Sequence, residues 1–251
     1  MHLSFQLYTA RDVAQLDPLL DLLVRRGVSR VEGWDAIYEI EGLANSLSSR
    51  NMTMPSAHMS LAHLKDRDRR QKVARAFEVR RFIVPGIEAD RISSRGGCLD
   101  VGRELLELSH QMKAEGLRLG WHNGGAELVP IAARERPIDL LLESVPELEW
   151  ECDLGWLASA GVDPAAELRT NGRRITALHM RDVSGPEGDP KQKGGADIGS
   201  GVLEWKAIRA SLNQTRVDLL VMEHDHAQDV SGFLNRSIDF LDGWMTSAAI
   251  A

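Results

Sequence analysis

The stretch from Ile175 to Asp182, ITALHMRD, is a short apolar run that breaks off into His179, Arg181 and Asp182. Three other runs end alike: Leu117 to Asn123 (LRLGWHN) on His122, Leu148 to Asp153 (LEWECD) on Asp153, and Asp218 to Asp225 (DLLVMEHD) on Glu223. Each reads as a buried strand that delivers an imidazole or a carboxylate at its end, and the gaps between them are long enough for a crossover helix. Several strands then converge on one ion.

The rest of the chain continues the alternation. His2 to Thr9 (HLSFQLYT) alternates apolar and polar residues at period two, as a strand does. From Val13 to Arg26 the apolar residues recur at three and four, and Gly27 stands where a helix is expected to stop. Ser29 to Trp34 gives a second strand carrying Glu32 and Trp34, followed by a helix over 37–48. Met54 to Ser60 is a third strand with His58 near its end, built from weaker strand formers. A charged helix over 66–78 leads into the apolar run Arg81 to Gly86, and a helix over 100–115 is stopped by Gly116. Beyond the Leu117 strand come a helix near 137–143, the Leu148 strand, a helix near 164–170 and the Ile175 strand. A glycine- and lysine-rich loop over 185–201 precedes a short helix over 203–212, the Asp218 strand and a closing helix over 230–244.

Eight strand-helix units in 251 residues, with no linker, fixed-period repeat or low-complexity tract, predict one (β/α)8 barrel domain spanning 1–251. In such a barrel, function sits at the C-terminal ends of the strands, where these His, Asp and Glu residues fall. A doubly wound open sheet would carry a glycine-rich phosphate turn after its first strand, and the sequence after Leu7 (YTARD) is not one.

Composition narrows the partners. Hydrophobic residues are 43% and charged residues 27%, ordinary for a globular chain. A net charge of −7 gives no general attraction to nucleic acid or to an anionic membrane. Cys98 and Cys152 are too few and too far apart for a disulfide framework or a CxxC zinc site. The N-terminus turns polar too early for a signal peptide, and no apolar run reaches the length of a membrane span. A cytoplasmic protein acting on a small molecule is expected, with assembly into a homo-oligomer left open.

Five motifs, in order, carry a family resemblance over most of the chain. Trp121 to Leu128 (WHNGGAEL), Trp150 to Gly161 (WECDLGWLASAG), Leu178 to Asp182 (LHMRD), Ile198 to Trp205 (IGSGVLEW) and Val221 to Asp225 (VMEHD) resemble those of the sugar phosphate isomerase/epimerase group of xylose isomerase-like barrels. That group also contains inosose dehydratases, hydroxypyruvate isomerases and tagatose epimerases. The resemblance implies a divalent metal at the barrel mouth, held by His122, Asp153, His179 and Glu223. Two positions depart from the family pattern: Gly124 stands where a second histidine is usual, and Arg181 replaces a lysine, exchanging a point ammonium for a planar fork.

Two imidazoles and two carboxylates suit Mn²⁺, Mg²⁺, Co²⁺ or Zn²⁺ and leave positions for two substrate oxygens. A ketose or α-hydroxyketone supplies both, so that proton removal next to the carbonyl leads through an enediolate-type intermediate. The expectation is a metal-dependent isomerase or epimerase on a small keto-sugar, polyol or sugar phosphate. The alternatives are a lyase or dehydratase on a keto-inositol or keto-glycoside, a phosphodiesterase like the apurinic endonucleases, or a non-catalytic sugar-binding barrel.

Glu223 is the proposed base, with Glu127 and Glu151 in reserve. A register slip would let His224, Asp225 or His226 take its place as a ligand. Arg181 is expected to hold a substrate group, against the plainer role of an ion pair with Asp182 or Asp153. Glu32, His58, Trp121, Asn123 and Trp156 are candidate substrate contacts; structural hydrogen bonding and barrel packing are the competing roles. Tyr8 and Trp34 could stack on a sugar face or simply pack. Lys191 and Lys193 read as solvated charges or as part of a lid.

Overall fold

The strands predicted from the apolar runs close on themselves. The structure is a computed structural model, describing residues 1–132 and 135–246, and its centre is a barrel of eight parallel strands. These are β1 (His2–Gln6), β2 (Arg30–Gly33), β3 (Thr53–His58), β4 (Arg81–Val84), β5 (Arg118–His122), β6 (Glu149–Asp153), β7 (Ile175–Met180) and β8 (Leu219–Met222). Each pairs with its neighbours in sequence, and β8 closes on β1. A two-stranded antiparallel ribbon, Asp182–Val183 with Gly195–Ala196, stands beyond β7.

Local chemistry sets the element ends. The helix Asp17–Arg25 begins with Pro18 in its first turn, buries Leu19, Leu20 and Leu23, and is followed by Gly27 at φ +79°, a left-handed position that glycine adopts without penalty. The helix Arg95–Ala114 is capped by the Ser94 hydroxyl, which accepts from the Gly97 amide at 3.1 Å.

Several expected elements are shorter than the sequence pattern implied: the helix expected from Val13 begins only at Asp17, and two others have an identifiable local cause. β1 stops at Gln6 because the Gln6 side chain accepts from the Tyr8 amide at 3.1 Å and turns Leu7–Ala10 into a 3-10 helix. The helix expected over 37–48 is split into a 3-10 turn, Asp35–Glu39, and a helix, Leu43–Ser49, by Gly42 at φ +79°.

Most of the apolar core lies between the strands and the surrounding helices, with Trp121, Trp150, Phe5, Phe82 and Phe233 fully buried there. Inside the barrel the apolar content is small: Ala177, Leu219 and Val221 form a cluster of their own. At the N-terminal end of the strands Arg81 plugs the barrel, with Nε on Glu149 at 2.7 Å and the two Nη atoms on Asp218 at 3.0 and 3.1 Å. Above the apolar plug the interior is polar. That inversion, a dry outer layer and a hydrophilic centre, is what places ionisable groups at one end.

A second buried arginine fixes the outer helices. Arg70 donates to Glu115 from Nε at 3.0 Å and from Nη2 at 2.6 Å, with Arg67 at 2.9 Å and Gln71 at 2.6 Å on the same carboxylate. The hydrogen bond from Arg70, only partly opposed by burial, holds the Glu115 carboxyl down to about 2. A carboxylate depressed below its ordinary value stabilises the fold above about pH 5 and loses that contribution as pH falls towards 2. The Glu115→Gln variant should therefore melt lower at pH 7 and show a smaller further loss of Tm between pH 5 and pH 2. An unchanged acid limb in thermal melts would remove Glu115 from the cause.

Candidate metal centre

Strand register brings the predicted ligands together. Asp153 is the neighbour of His179 across β6 and β7, and His179 is the neighbour of Val221 across β7 and β8, so Glu223 follows one residue past the end of β8. His122 ends β5 beside Glu151. Residues two apart on a strand face the same side, so Glu151 and Asp153 both point inward, one layer apart.

The ligand atoms of His122, Asp153, His179 and Glu223 all lie within 4.8 Å of one another, and all four residues are buried. The Asp153 carboxylate is half spent: Oδ1 caps the helix Leu154–Ser159 by accepting from the Trp156 amide at 2.7 Å, while Oδ2 has no hydrogen-bond partner. Both ring nitrogens of His122 are also unpartnered, and Nε2 stands 3.5 Å from Asp153 Oδ2. Buried polar atoms left without partners are costly, and a divalent cation would satisfy Asp153 Oδ2 and one ring nitrogen of His122 together. Imidazole and carboxylate donors fit Mn²⁺, Mg²⁺, Co²⁺ or Zn²⁺.

A second buried group lies directly against the first. His179 Nδ1 faces Glu223 Oε2 at 2.8 Å, and Nε2 faces Glu32 Oε2 at 2.8 Å and Glu151 Oε2 at 3.0 Å. His58 Nε2 meets the same Glu151 oxygen at 2.6 Å. Burial opposes charge on the His179 ring, but Glu151 and Glu223 outweigh it and raise its pKa well above the ordinary histidine value. Burial likewise opposes charge on Glu223 and Glu151; His179 outweighs it for Glu223, and His179 with His58 for Glu151, so both are pulled below the ordinary range. Carboxylates on Nε2 orient the ring and set its tautomer, as carboxylates behind metal-bound histidines do.

Above the cluster opens a cavity of about 430 Å³, lined on its inner side by His58, His122 and Glu223 and on its walls by Tyr8, Trp34 and Trp156. Tyr8 and Trp34 meet edge to face with centroids 5.6 Å apart. Arg181 lies over the Trp156 ring at 4.9 Å, with Nη1 at 2.8 Å from Asp225 Oδ2 and 3.5 Å from Asp153 Oδ2. A Cβ at Gly155 would come within 2.8 Å of the Arg181 Cβ, so the glycine in DLGW lets this arginine pass. Asp182 is not its partner. That carboxylate gathers the backbone amides of Val183, Gly199, Gly201 and Leu203 and the Trp205 indole, which accounts for the IGSGVLEW motif as the fold of the following loop.

Four expected contacts do not reach the cavity. Trp121 is fully buried in the outer core, because His122 next to it points inward and adjacent strand residues face opposite ways. Asn123 is buried as a strut: its Oδ1 accepts from Trp150 Nε1 at 2.9 Å and from the Asp153 amide at 3.0 Å. Glu32 lies below the floor, accepting from Gln6 at 2.8 Å and from the Ser56 hydroxyl. Glu127 is buried on the turn after β5, accepting from the Gly124 amide at 3.0 Å, and burial pushes its carboxyl upward. His58 and Trp156 do line the cavity. Arg11, Asp225 and His226 line it too; no motif or apolar run marks Arg11. Lys191 and Lys193 are exposed on the loop, which is tied down by Gln192 on His224 at 2.9 Å.

The fold is a (β/α)8 barrel, and the clustered side chains at its C-terminal mouth are a donor set that could hold a cation. No protein-family model matches the sequence, and no curated protein does. Solved structures match over nearly the whole chain. A sugar phosphate isomerase/epimerase from Parabacteroides distasonis superposes with a TM-score of 0.76 at 14% identity, over 96% of this chain and 93% of its own. The probable 3-DHS dehydratase AsbF from Bacillus anthracis gives 0.78 at 12%, over 96% and 99%. The IolI protein, whose structure has a bound zinc atom, gives 0.67 at 14%, over 99% and 98%. The fold is therefore that of the xylose isomerase-like barrels, as the five motifs led one to expect. Among the described residues no helix is long and apolar enough to cross a membrane.

Proposed function

We propose that this protein is a divalent-metal-dependent isomerase or epimerase acting on a small keto-sugar, polyol or sugar phosphate. One observation carries the reading: His122, Asp153, His179 and Glu223 bring ligand atoms within 4.8 Å of one another at the floor of an aromatic-walled cavity, with Asp153 Oδ2 and the ring nitrogens of His122 making no hydrogen bond. A bound Mn²⁺, Mg²⁺, Co²⁺ or Zn²⁺ would supply Lewis acidity towards a carbonyl and its neighbouring hydroxyl, which acidifies the C–H between them.

The chain's own groups do the rest. Glu223 faces the cavity and is kept ionised, so its carboxylate can accept the α-proton and return it to the adjacent carbon on the same face, which is isomerisation; inversion at one carbon needs a second acid on the opposite face. Trp156 and the Tyr8–Trp34 pair offer apolar faces against which a sugar ring or chain packs. Arg181, steadied on Trp156 and Asp225, presents N–H donors to substrate oxygens.

Mn²⁺ should raise Tm, and a panel of keto-sugars and keto-inositols should include one that takes up solvent deuterium next to its carbonyl. A protein that purifies metal-free and shows no thermal shift with any of the four ions would overturn the reading. The Arg181→Ala variant should keep its Mn²⁺ while kcat/KM falls by roughly ten- to a hundredfold, since hydrogen bonds to charged groups are worth about 1.5 to 3 kcal/mol. Unchanged kinetics would make Arg181 a structural partner of Asp225 alone.

A further inference from the structure

We infer that the substrate carries an anionic group, phosphate or carboxylate, and that Arg11 at the rim of the cavity binds it. The inference rests on the reading that this cavity holds the substrate, and it comes from a charge imbalance between the two arginines that line it.

Arg181 and Arg11 are built alike. Each guanidinium lies over an aromatic ring, Arg181 over Trp156 at 4.9 Å and Arg11 over Tyr8 at 4.2 Å. Arg181 is matched by carboxylates, Asp225 at 2.8 Å and Asp153 at 3.5 Å. Arg11 is not. Its Nη1 donates to the Tyr8 carbonyl at 3.1 Å and its Nη2 to the Asp225 carbonyl at 2.5 Å. The sole carboxylate within 4 Å of its nitrogens among the described residues is Asp12, 3.9 Å from Nε and itself 94% exposed. Two carbonyls fix the plane of the fork without neutralising it, and they use two of its five N–H groups. The side chain is only 21% exposed, so its charge is incompletely screened by water.

The remaining charges of the cavity direct the anion to this place. Asp35 Oδ2 accepts from the Ser60 amide at 3.0 Å, and its Oδ1 stands 2.9 Å from His63 Nδ1. Glu223 and Asp153 at the floor, with Glu151 and Glu32 beneath it, are four carboxylates, more negative charge than one divalent cation offsets. An anionic group entering the cavity is repelled by that floor and attracted to the rim, where a planar fork matches phosphate or carboxylate oxygens in pairs. Arg11 sits on the turn after β1 and grips the main chain two residues past Glu223, so its guanidinium is held at a fixed place in the same cavity as the proposed base.

The test uses three hydroxamates with the same chelating head, titrated calorimetrically into the Mn²⁺-loaded full chain: glycolohydroxamate, with an uncharged tail, phosphoglycolohydroxamate and succinic monohydroxamate. At least one anionic tail should bind tenfold or more tightly than the uncharged probe, and whichever does so identifies phosphate or carboxylate. In Arg11→Ala that gain should vanish while affinity for the uncharged probe stays within about twofold, and Arg11→Lys should restore part of it. Equal affinities for all three in the wild type would overturn the inference, as would a gain that survives in a folded Arg11→Ala. If the uncharged probe fails to bind, it is the metal reading that falls. Inorganic phosphate titrated into the metal-free protein then decides: Arg11-dependent binding sustains the anion site, and no binding overturns it.

Discussion

The Glu223→Gln variant should keep most of its metal and lose exchange of the substrate α-proton by roughly 10² to 10⁴-fold, the range over which a positioned general base contributes. Glutamine preserves the shape of the side chain and one oxygen donor, while removing the negative charge and the basicity. Glu223 faces the cavity, and its Oε2 is set 2.8 Å from His179 Nδ1, so an isosteric amide keeps the geometry of that contact. The variant's Mn²⁺ content and Tm should therefore stay close to wild type while deuterium uptake collapses. Near-normal exchange would place the base elsewhere. Neither Glu127 nor Glu151 lines the cavity, and Glu151, which stands against His58 and His179 with its Oε1 unpartnered, would be the next carboxylate to test.

The fold was legible because each barrel strand is a short apolar run and each crossover helix has its own period and stop. Where the reading ran long, a single local interaction made the difference, as at Gln6 and Gly42, and such interactions leave no trace in hydrophobic periodicity. The clustering of the four candidate ligands was legible for a related reason: each of His122, Asp153, His179 and Glu223 interrupts or ends an apolar run at the same end of its strand.

The rest of the site was hidden by geometry that a linear pattern does not carry. Trp121 and Asn123 flank His122 in the motif, yet strand alternation and a buried hydrogen-bond frame turn them away from the cavity. Glu151 sits mid-strand and reads as one more residue of a run, although closure of the barrel places it beside His58 and His179. Arg11 lies on a turn, and only the meeting of β1 with β8 brings it against Asp225.

His179→Ala should separate the ligand role from the base role. The ring joins both buried groups, with Glu223 on Nδ1 and Glu32 and Glu151 on Nε2. Truncation removes one of four donors and leaves Glu32, Glu151 and Glu223, three buried carboxylates, facing an emptied space. Removing one partner of a buried ion pair typically costs about 3 to 5 kcal/mol, because the other charge is left uncompensated. The variant should melt well below wild type, show no Mn²⁺-induced rise in Tm and have no measurable α-proton exchange, so metal and activity are lost together. Glu223→Gln, by contrast, loses exchange and keeps the metal. A His179→Ala protein that still binds Mn²⁺ with wild-type affinity would take His179 out of the ligand set and leave it as the hydrogen-bonded link between Glu32, Glu151 and Glu223.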